Sequence, residues 1–435
     1  MKPTKNLPSP YRLLSNDHPA PGGPPRMREA NVRHLLRLLH HHTPCSRADL
    51  VRLSGLTAPT VSAAIGSLQR RDLVTAIGNG SSSGGRPPGL LEFNARHGYV
   101  VGADIGGSNV RLALADLNGA VIGRWNAPLR AERRPKAVIE KVCAGISHLR
   151  QQHKVPLKKI LQLVAGAPGI TDVAAGRVLS APNLVGWNDI PLRDLLQEKT
   201  RNATTVENDG NLGALGESWC GAAQNVANFV FLSIGTGVGA GIVLNGRLHH
   251  GATWSAGEVG YMMIPGLPDD PPSTDQPGAL ESAIGGHGIE QSWVDQARVD
   301  QARIDETGAA RSAAALRATD IFDLARSGDR NAREFLNRAA GHLAMAVTNL
   351  SLVLDLSLVV LSGGTGGHPA LLQAVQRRLE RNQFARPTLV LSDLNGEAQL
   401  YGAICLALQT AEVQGFRHRP AGIGNKHQAA LAEIY

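Results

Sequence analysis

The pentapeptide Asp104-Ile105-Gly106-Gly107-Ser108 lies between two apolar runs, residues 99–103 and 110–115. This pattern predicts two strands joined by a glycine turn with a hydroxyl group at its tip. Glycine lets backbone N–H groups approach an anion closely, and a neighbouring hydroxyl adds a donor. We therefore predict a phosphate-binding turn made by Gly106, Gly107 and Ser108, with Asp104 holding a metal-bound phosphate through water.

A second hairpin of the same design lies far downstream, where Gly235-Thr236-Gly237 separates the apolar runs 229–234 and 239–244. Both hairpins end in Leu-Asn-Gly, at 117–119 and 244–246. A single glycine turn is weak evidence, because glycine also simply makes hairpins. Two such turns, with Gly364 after a third apolar run, predict two lobes that enclose a phosphate between them.

Carboxylates and amides suited to a polyhydroxylated ligand lie between and after these hairpins. In Glu207-Asn208-Asp209, Asp209 would accept a proton from a sugar hydroxyl as a general base, and Asn208 would orient the ring. The competing interpretation is a helix N-cap, because Asn and Asp are favoured there and a helical pattern follows. Asn183, Glu258 and Glu281 are further candidates for contacts with sugar hydroxyls.

The net charge of +8 is confined to the N-terminal part of the chain. Residues 1–96 hold 13 Lys/Arg against 5 Asp/Glu, and the rest of the chain is balanced. A positive field of this kind attracts polyanions and supplies the nonspecific part of nucleic-acid affinity. A solvated basic tail is the alternative, but most of these arginines lie in a patterned segment.

That segment has the pattern of a winged helix-turn-helix. Ser46 and Asp49 predict a capping box, and Gly55 predicts a left-handed end to the same short helix. The next helix starts after Thr57 and offers small polar groups to base edges, Thr60 and Ser62 among them. Arg86, at the root of a predicted β-wing, would reach a minor groove or a phosphate. A small helical bundle with a glycine turn is the alternative.

Composition divides the chain into four parts. We expect a disordered arm at 1–25, a DNA-binding domain at 26–96, an α/β domain with two lobes at 97–412, and a loosely held tail at 413–435. The sequence has no apolar run long enough to span a bilayer, and its first residues contain no apolar run of the signal-peptide type. Four widely separated cysteines fit a reducing compartment, so we expect a cytoplasmic protein without a membrane partner.

From residue 28 to about 411 the chain resembles the ROK family (repressors, open reading frames and sugar kinases). The segments 46–62 and 84–88 are similar to its repressor branch, which includes the N-acetylglucosamine and xylose repressors. The resemblance implies a winged helix-turn-helix followed by a two-lobed, actin/hexokinase-like (ribonuclease H-like) sugar-kinase domain. It implies DNA contacts from Arg47, Thr57, Pro59, Thr60, Ser62 and Arg86. It implies sugar contacts from Asn183, Asn208, Asp209, Glu258 and Glu281, and nucleotide contacts from the glycine turns.

One departure from the family pattern is large. The family commonly carries a structural zinc held by a histidine and three cysteines, but Tyr261 stands where the histidine would be. The cysteine run is replaced by residues 272–279, which offer neither thiolate nor imidazole. We therefore predict no metal at this position and no required cofactor, while ATP–Mg²⁺ would be needed only by an active kinase.

Three functions follow from these observations. The favoured one is a sugar-responsive regulator of carbohydrate genes, a repressor whose kinase-like cleft is expected to act as a sensor and not as an enzyme, with residual kinase activity through Asp209 left open. It would bind operator DNA as a homodimer or tetramer and sense a sugar or sugar phosphate in the cleft. The second is an ATP-dependent, glucokinase-like sugar kinase with an appended DNA-binding domain, using Asp209 as its base. The third is a DNA-binding protein whose C-terminal part serves only as a dimerisation scaffold.

Overall fold

The computed structural model describes residues 7–10, 24–80, 87–129, 132–181, 184–268, 276–305, 316–384 and 386–417. Within these ranges, none of the helices has the length and apolar character needed to cross a membrane. The predicted site residues Arg86 and Asn183 lie outside the described residues, as do most of the expected N-terminal arm and C-terminal tail.

The N-terminal unit combines three helices with a small antiparallel sheet of order β1-β3-β2. Its elements are α1 (Pro24–His41), β1 (Cys45–Ser46), α2 (Arg47–Ser54), α3 (Ala58–Arg70), β2 (Val74–Asn79) and β3 (Gly89–Phe93). The two predicted caps of α2 are confirmed. Ser46 and Asp49 form the capping box, and Gly55 adopts φ +68° at the C-terminal end. Thr57 is the N-cap of α3 but makes no capping bond with its side chain.

The first lobe contains a five-stranded sheet of order β10-β7-β4-β5-β6. Its elements are β4 (Tyr99–Ile105), β5 (Asn109–Asp116), β6 (Val121–Pro128), α4 (Pro135–Gln152), β7 (Ile160–Ala167), β8 (Ile170–Asp172), β9 (Arg177–Ser180), α5 (Leu192–Thr200), β10 (Thr204–Asn208) and α6 (Asp209–Cys220). β7 is buried along its whole length, as is usual for a central parallel strand covered on both faces.

The second lobe repeats this topology in a sheet of order β13-β12-β11-β14-β15. Its elements are β11 (Phe229–Ile234), β12 (Val238–Leu244), β13 (Arg247–Leu248), α7 (Ala279–Ile284), α8 (Gly286–Asp305), α9 (Ala318–Ser327), α10 (Arg330–Leu354), β14 (Leu358–Ser362), α11 (Pro369–Leu379), β15 (Thr388–Leu391) and α12 (Ala398–Val413). In both sheets the first three strands form antiparallel hairpins, and two parallel strands follow beside the first. The two lobes predicted from the repeated hairpins are therefore present.

Helices α6 and α12 pack against each other between the lobes. α6 follows the first sheet in the chain but lies against β11 and β12, whereas α12 follows the second sheet and lies against β4 and β7. A Cβ atom on Gly402 would come within 1.8 Å of the Leu212 carbonyl oxygen, so the helix backbones are in direct contact there. The pair thus joins the two lobes through close backbone packing.

The N-terminal unit docks on the end of α12, and one apolar cluster runs through both. Arg37 of α1 donates to the buried Glu412 through Nε (2.6 Å) and Nη2 (3.2 Å). The Phe93 ring lies 6.0 Å from the ring of Phe416, which is only 3% exposed. α12 ends at Val413, one residue beyond the expected domain boundary at 412–413, and the packed chain continues to Phe416.

Four residues of the expected disordered arm are also packed. The Pro8 carbonyl oxygen accepts from Trp219 Nε1 at 2.7 Å, and the Pro10 carbonyl oxygen accepts from Gln409 Nε2 at 3.1 Å. Residues 7–10 thus lie against α6 and α12, and for them the expectation of disorder is wrong. Composition signals only that a segment cannot form a core alone, and here the surface of another domain supplies the partners.

Candidate functional site

A cleft of about 720 Å³ is lined by residues of both lobes. Its lining includes the whole predicted phosphate set: Asp104, Gly106, Gly107, Ser108, Gly235, Thr236, Gly237 and Gly364. It also includes four of the predicted sugar contacts: Asn208, Asp209, Glu258 and Glu281. The fold therefore brings together residues that lie as much as 260 positions apart in the sequence.

The glycine turns leave open space in front of the backbone. The Gly106 N–H donates to the Asn109 carbonyl and the Gly235 N–H to the Gly237 carbonyl, both at 2.9 Å. A Cβ atom added to Gly107, Gly235 or Gly364 would meet no atom within 4 Å. The protein itself does not require glycine at these three positions for space. What glycine preserves there is room for a ligand to reach the backbone N–H groups, as a phosphate does.

The sequence left open whether Asn208 and Asp209 cap a helix or face a ligand, and the structure gives the capping role to Asn208 and the position facing the cleft to Asp209. Asn208 is the N-cap of α6, because its Oδ1 accepts from the Asn211 N–H at 3.0 Å. Its Nδ2 donates to the Gly169 carbonyl at 2.9 Å, which fixes the amide orientation. Asp209 is the first residue of the helix and presents its carboxylate to the cleft, where Oδ1 accepts from the Gly210 N–H at 2.8 Å.

The carboxylates of the cleft interact with one another. Burial raises the pKa of Asp209 from 3.8 to about 7, and the charges of Asp104 and Glu258 add to the shift. Burial also raises the pKa of Glu258 to about 7, with a contribution from Glu281. Glu281 is held in place because its Oε2 accepts from the Val238 N–H at 2.8 Å. A base with a pKa near 7 exchanges protons efficiently at neutral pH.

Arg111 is a site residue that the sequence reading missed. It faces Asp104 across the first hairpin, and its Nε and Nη2 donate to Asp104 Oδ2 at 2.8 and 2.5 Å. Its Nη1 donates to the Gly396 carbonyl at 2.6 Å. Among the described residues that line the cleft, Arg111 is the only Lys or Arg. The cross-strand pairing of an acid with a base was the signal that could have identified it.

Two further residues of the lining were also not predicted as ligand contacts. Gln399, in the first turn of α12, has a buried Oε1 without a hydrogen-bond donor among the described residues. Tyr261, which the resemblance places where a zinc-binding histidine was expected, donates from its hydroxyl to the Gln276 carbonyl at 3.1 Å. This bond links the 3-10 turn after Glu258 to the segment that leads into α7.

A network of buried hydrogen bonds around Glu207 holds Asn208 in position. Glu207 is fully buried, and its Oε1 accepts from the Asn208 N–H at 2.8 Å and from Asn211 Nδ2 at 2.9 Å. Its Oε2 lies 3.0 Å from His250 Nε2. Burial by itself would lower the pKa of His250, but the Glu207 carboxylate outweighs it and the pKa is raised. The contact between His250 and Glu207 therefore supports the junction of β10 and α6, where Asn208 and Asp209 lie.

The predicted DNA contacts in the described N-terminal unit lie on or near its surface. Arg47, Thr57, Pro59 and Ser62 are exposed and Thr60 is half-buried. Arg47 Nη2 donates to Gln69 Oε1 at 3.1 Å, which links α2 to α3. The hydroxyls of Thr57 and Thr60 are 2.9 Å apart.

Comparison with known sequences gives one family match and several named relatives. The ROK family model matches residues 100–410. A putative xylose repressor from Caldicellulosiruptor sp. is 33% identical over 59% of this chain, but the alignment spans only 64% of that protein. The xylose repressor of Caldicellulosiruptor bescii is 28% identical over 90% of this chain and 98% of its own length. A glucokinase from Halalkalibacterium halodurans is 29% identical over 66% of this chain and 87% of its own length.

Among solved structures, a ROK family transcriptional regulator described as a homologue of the Escherichia coli Mlc protein has a similar fold. It superposes with a TM-score of 0.68 over 94% of this chain and 99% of its own, at 21% identity. At this identity the likeness concerns the fold alone, a mixed α/β fold of the sugar-kinase type that includes the N-terminal unit in its coverage.

Proposed function

The chain belongs to the ROK family, and from this premise we propose that it is a sugar-responsive transcriptional repressor. In this proposal the N-terminal unit is a winged helix-turn-helix that binds operator DNA, and the cleft binds a sugar. The protein acts as a homodimer or tetramer, and it needs no catalytic step.

The observation that carries the proposal is the position of α12. Gly396 and Gln399, at its N-terminal end, line the cleft. Glu412, in its last turn, pairs with Arg37 of the N-terminal unit. One helix therefore touches the ligand site at one end and the DNA-binding candidate at the other. A sugar that prefers one lobe arrangement would shift the population of N-terminal unit positions, provided that its affinity differs between the two states.

Two further observations support the repressor over a free-standing enzyme. All of the net positive charge lies in the first 96 residues, which hold the exposed side chains of α2 and α3. The alignment with the C. bescii xylose repressor extends over nearly the whole of both chains, whereas the glucokinase alignment covers two thirds of this one.

The test is to select bound sequences from random duplex DNA and to measure their affinity with and without each of a panel of sugars and sugar phosphates. We expect one sugar to change the Kd for DNA by about tenfold, a coupling of about 1.4 kcal/mol. Glu258→Gln should keep DNA binding but lose the response, and Arg47→Ala should weaken DNA binding but keep the sugar-induced thermal shift. A sugar that binds without changing DNA affinity would leave the C-terminal part as a scaffold and refute the sensor.

A second function is favoured by one specific observation, the pKa of Asp209 near 7 beside open glycine turns. This arrangement suits an ATP-dependent sugar kinase, in which Asp209 takes the proton of the attacking hydroxyl and the turns hold the phosphates. Against it, Asp104 is paired with Arg111 instead of facing a metal-bound phosphate alone. ADP release measured for the wild type and for Asp209→Asn decides the matter, because equal rates near background exclude the kinase.

A further inference from the structure

A second cavity, of about 400 Å³, lies where the N-terminal unit meets the first lobe. Its walls come from four separate parts of the chain: the end of α3, the turn between β3 and β4, the segment that leads into β7, and the segment after α12. The lining residues are Arg71, His97, Lys158, Lys159, Leu161, Phe416 and Arg417. The cavity exists only while these parts are packed together as described, and it is separate from the cleft between the lobes.

The charge of this cavity is of one sign. Four of its lining residues are Lys or Arg, and none of its described lining residues is Asp or Glu. Arg71 is half-buried, and its pKa is lowered first by burial and then by the positive charge of Arg417, while Glu29 opposes the shift. Positive charges gathered around one cavity repel one another. This repulsion raises the free energy of the folded protein unless a bound anion offsets it.

The hydrogen bonds of these cations go to neutral groups, and Glu29, which acts on Arg71, does not line the cavity. Arg71 Nη2 donates to the Gly415 carbonyl, and Lys159 Nζ donates to the Arg96 carbonyl at 3.0 Å. Both acceptors are neutral backbone groups. Lys158 and Arg417 are exposed, and neither forms an ion pair with a described residue. The cavity therefore combines two cations held by hydrogen bonds, Arg71 and Lys159, with two exposed ones, Lys158 and Arg417.

We propose that this junction cavity binds a small phosphate-bearing anion, which holds the N-terminal unit against the first lobe. Arg71 would make the directional contacts, and Lys158 and Lys159 would approach as point charges, which are the usual roles of these side chains with phosphate. Leu161 and the Phe416 ring supply an apolar wall. The volume lies within the range of small-molecule sites. A free anion suits the cavity better than a DNA backbone, because Arg71 is half-buried behind the end of α12.

Inorganic pyrophosphate without Mg²⁺ is a suitable probe, compared with chloride at equal ionic strength. We expect pyrophosphate to bind once per chain and to raise the thermal midpoint of the full-length protein by about 2 °C or more at saturating concentration. Lys158→Ala/Lys159→Ala should weaken binding about tenfold or more, since hydrogen bonds to charged groups are strong. Lys158→Ala alone should weaken it less and removes no contact seen in the fold. Lys136→Ala, an exposed lysine on α4, is the matched control and should bind like the wild type.

Each contrary outcome refutes the site. No stabilisation beyond that of chloride means that the cavity holds no anion. Equal binding by the wild type and the double variant means that pyrophosphate occupies the cleft instead. If the double variant loses affinity for random duplex DNA while pyrophosphate binds to neither protein, the lysines contact a DNA backbone and the proposed ligand is wrong.

Discussion

Replacing Asp209 with asparagine should stabilise the protein at alkaline pH while removing its candidate base. The pKa of this carboxyl is raised from 3.8 to about 7 in the folded state. A group whose folded pKa is raised binds its proton more tightly when folded, so stability falls as the pH rises between the two values. One pKa unit corresponds to about 1.4 kcal/mol, so the ionised carboxylate costs the fold at most about 4 kcal/mol above pH 7.

Asparagine has nearly the same shape, and its Oδ1 can still accept from the Gly210 N–H, but it carries no charge. Because the surroundings of a half-buried carboxylate relax, we expect a gain of about 2–4 kcal/mol at pH 8. For a unit of roughly 300 residues this raises the thermal midpoint by about 3–6 °C. At pH 4 the gain should fall below about 1 kcal/mol, because the wild-type carboxyl is then protonated in the folded protein.

The assay is thermal unfolding of wild type and variant from pH 4 to pH 8 at constant ionic strength and without sugar. Asp189→Asn is the matched control, because that carboxylate is exposed, pairs with Arg177 and has a lowered pKa. It should give no stabilisation at pH 8. A lower thermal midpoint for Asp209→Asn, or an equal shift of the midpoint at both ends of the pH range, would contradict this expectation. In either case the clustered carboxylates do not destabilise the protein, and the assignment of Asp209 as a base loses its electrostatic support.

Three further predictions follow from the described contacts. Arg37→Ala removes the guanidinium that pairs with the buried Glu412 and should lower the free energy of unfolding by about 3 kcal/mol. Adding Glu412→Gln should restore part of this loss, which a double-mutant cycle measured by thermal unfolding would show. His250→Asn should destabilise the protein more at pH 6 than at pH 9. The raised pKa of His250 contributes stability that is present below about pH 6.5 and is lost as the pH rises through the pKa of the folded protein. Equal losses of stability at both pH values would contradict a charged pair with Glu207. Ser46→Ala should cost about 1 kcal/mol through the lost cap of α2 and weaken DNA binding, whereas Ser46→Thr should retain both.

Features set by neighbouring residues could be predicted from the sequence. The capping box at Ser46 and Asp49 needs only the spacing of two residues, and the glycine hairpins need only two apolar runs around a turn. Asn208 and Asp209 were also identified, because they stand where a strand ends and a helix begins, whereas Arg111 and Gln399 of the same cleft were missed. Even Asn208 was anticipated in both of its roles, and the structure shows that the capping role is occupied.

Features set by distant residues could not be predicted in this way. The pairing of Arg37 with Glu412 joins positions 375 residues apart, and no local pattern links them. Residues 7–10 were assigned to a disordered arm because their composition cannot form a core, but they rest on surfaces that α6 and α12 create. The burial of Phe416 could not be predicted for the same reason, since the apolar cluster that covers it includes the distant Phe93.

The same long-range contacts explain how a cleft and a distant N-terminal unit can act together. α6 begins with Asp209 in the cleft, and α12 begins beside Gln399 there. Where they cross, a Cβ atom on Gly216 would come within 2.1 Å of the Ala398 carbonyl oxygen, so neither helix can slide past the other without breaking backbone contact. In the proposed sensor, a change at Asp209 that displaces α6 would also displace α12 and the Glu412 carboxylate that pairs with Arg37, if the two helices move together. Coupling therefore requires only one moving helix pair and a ligand that favours one of its positions.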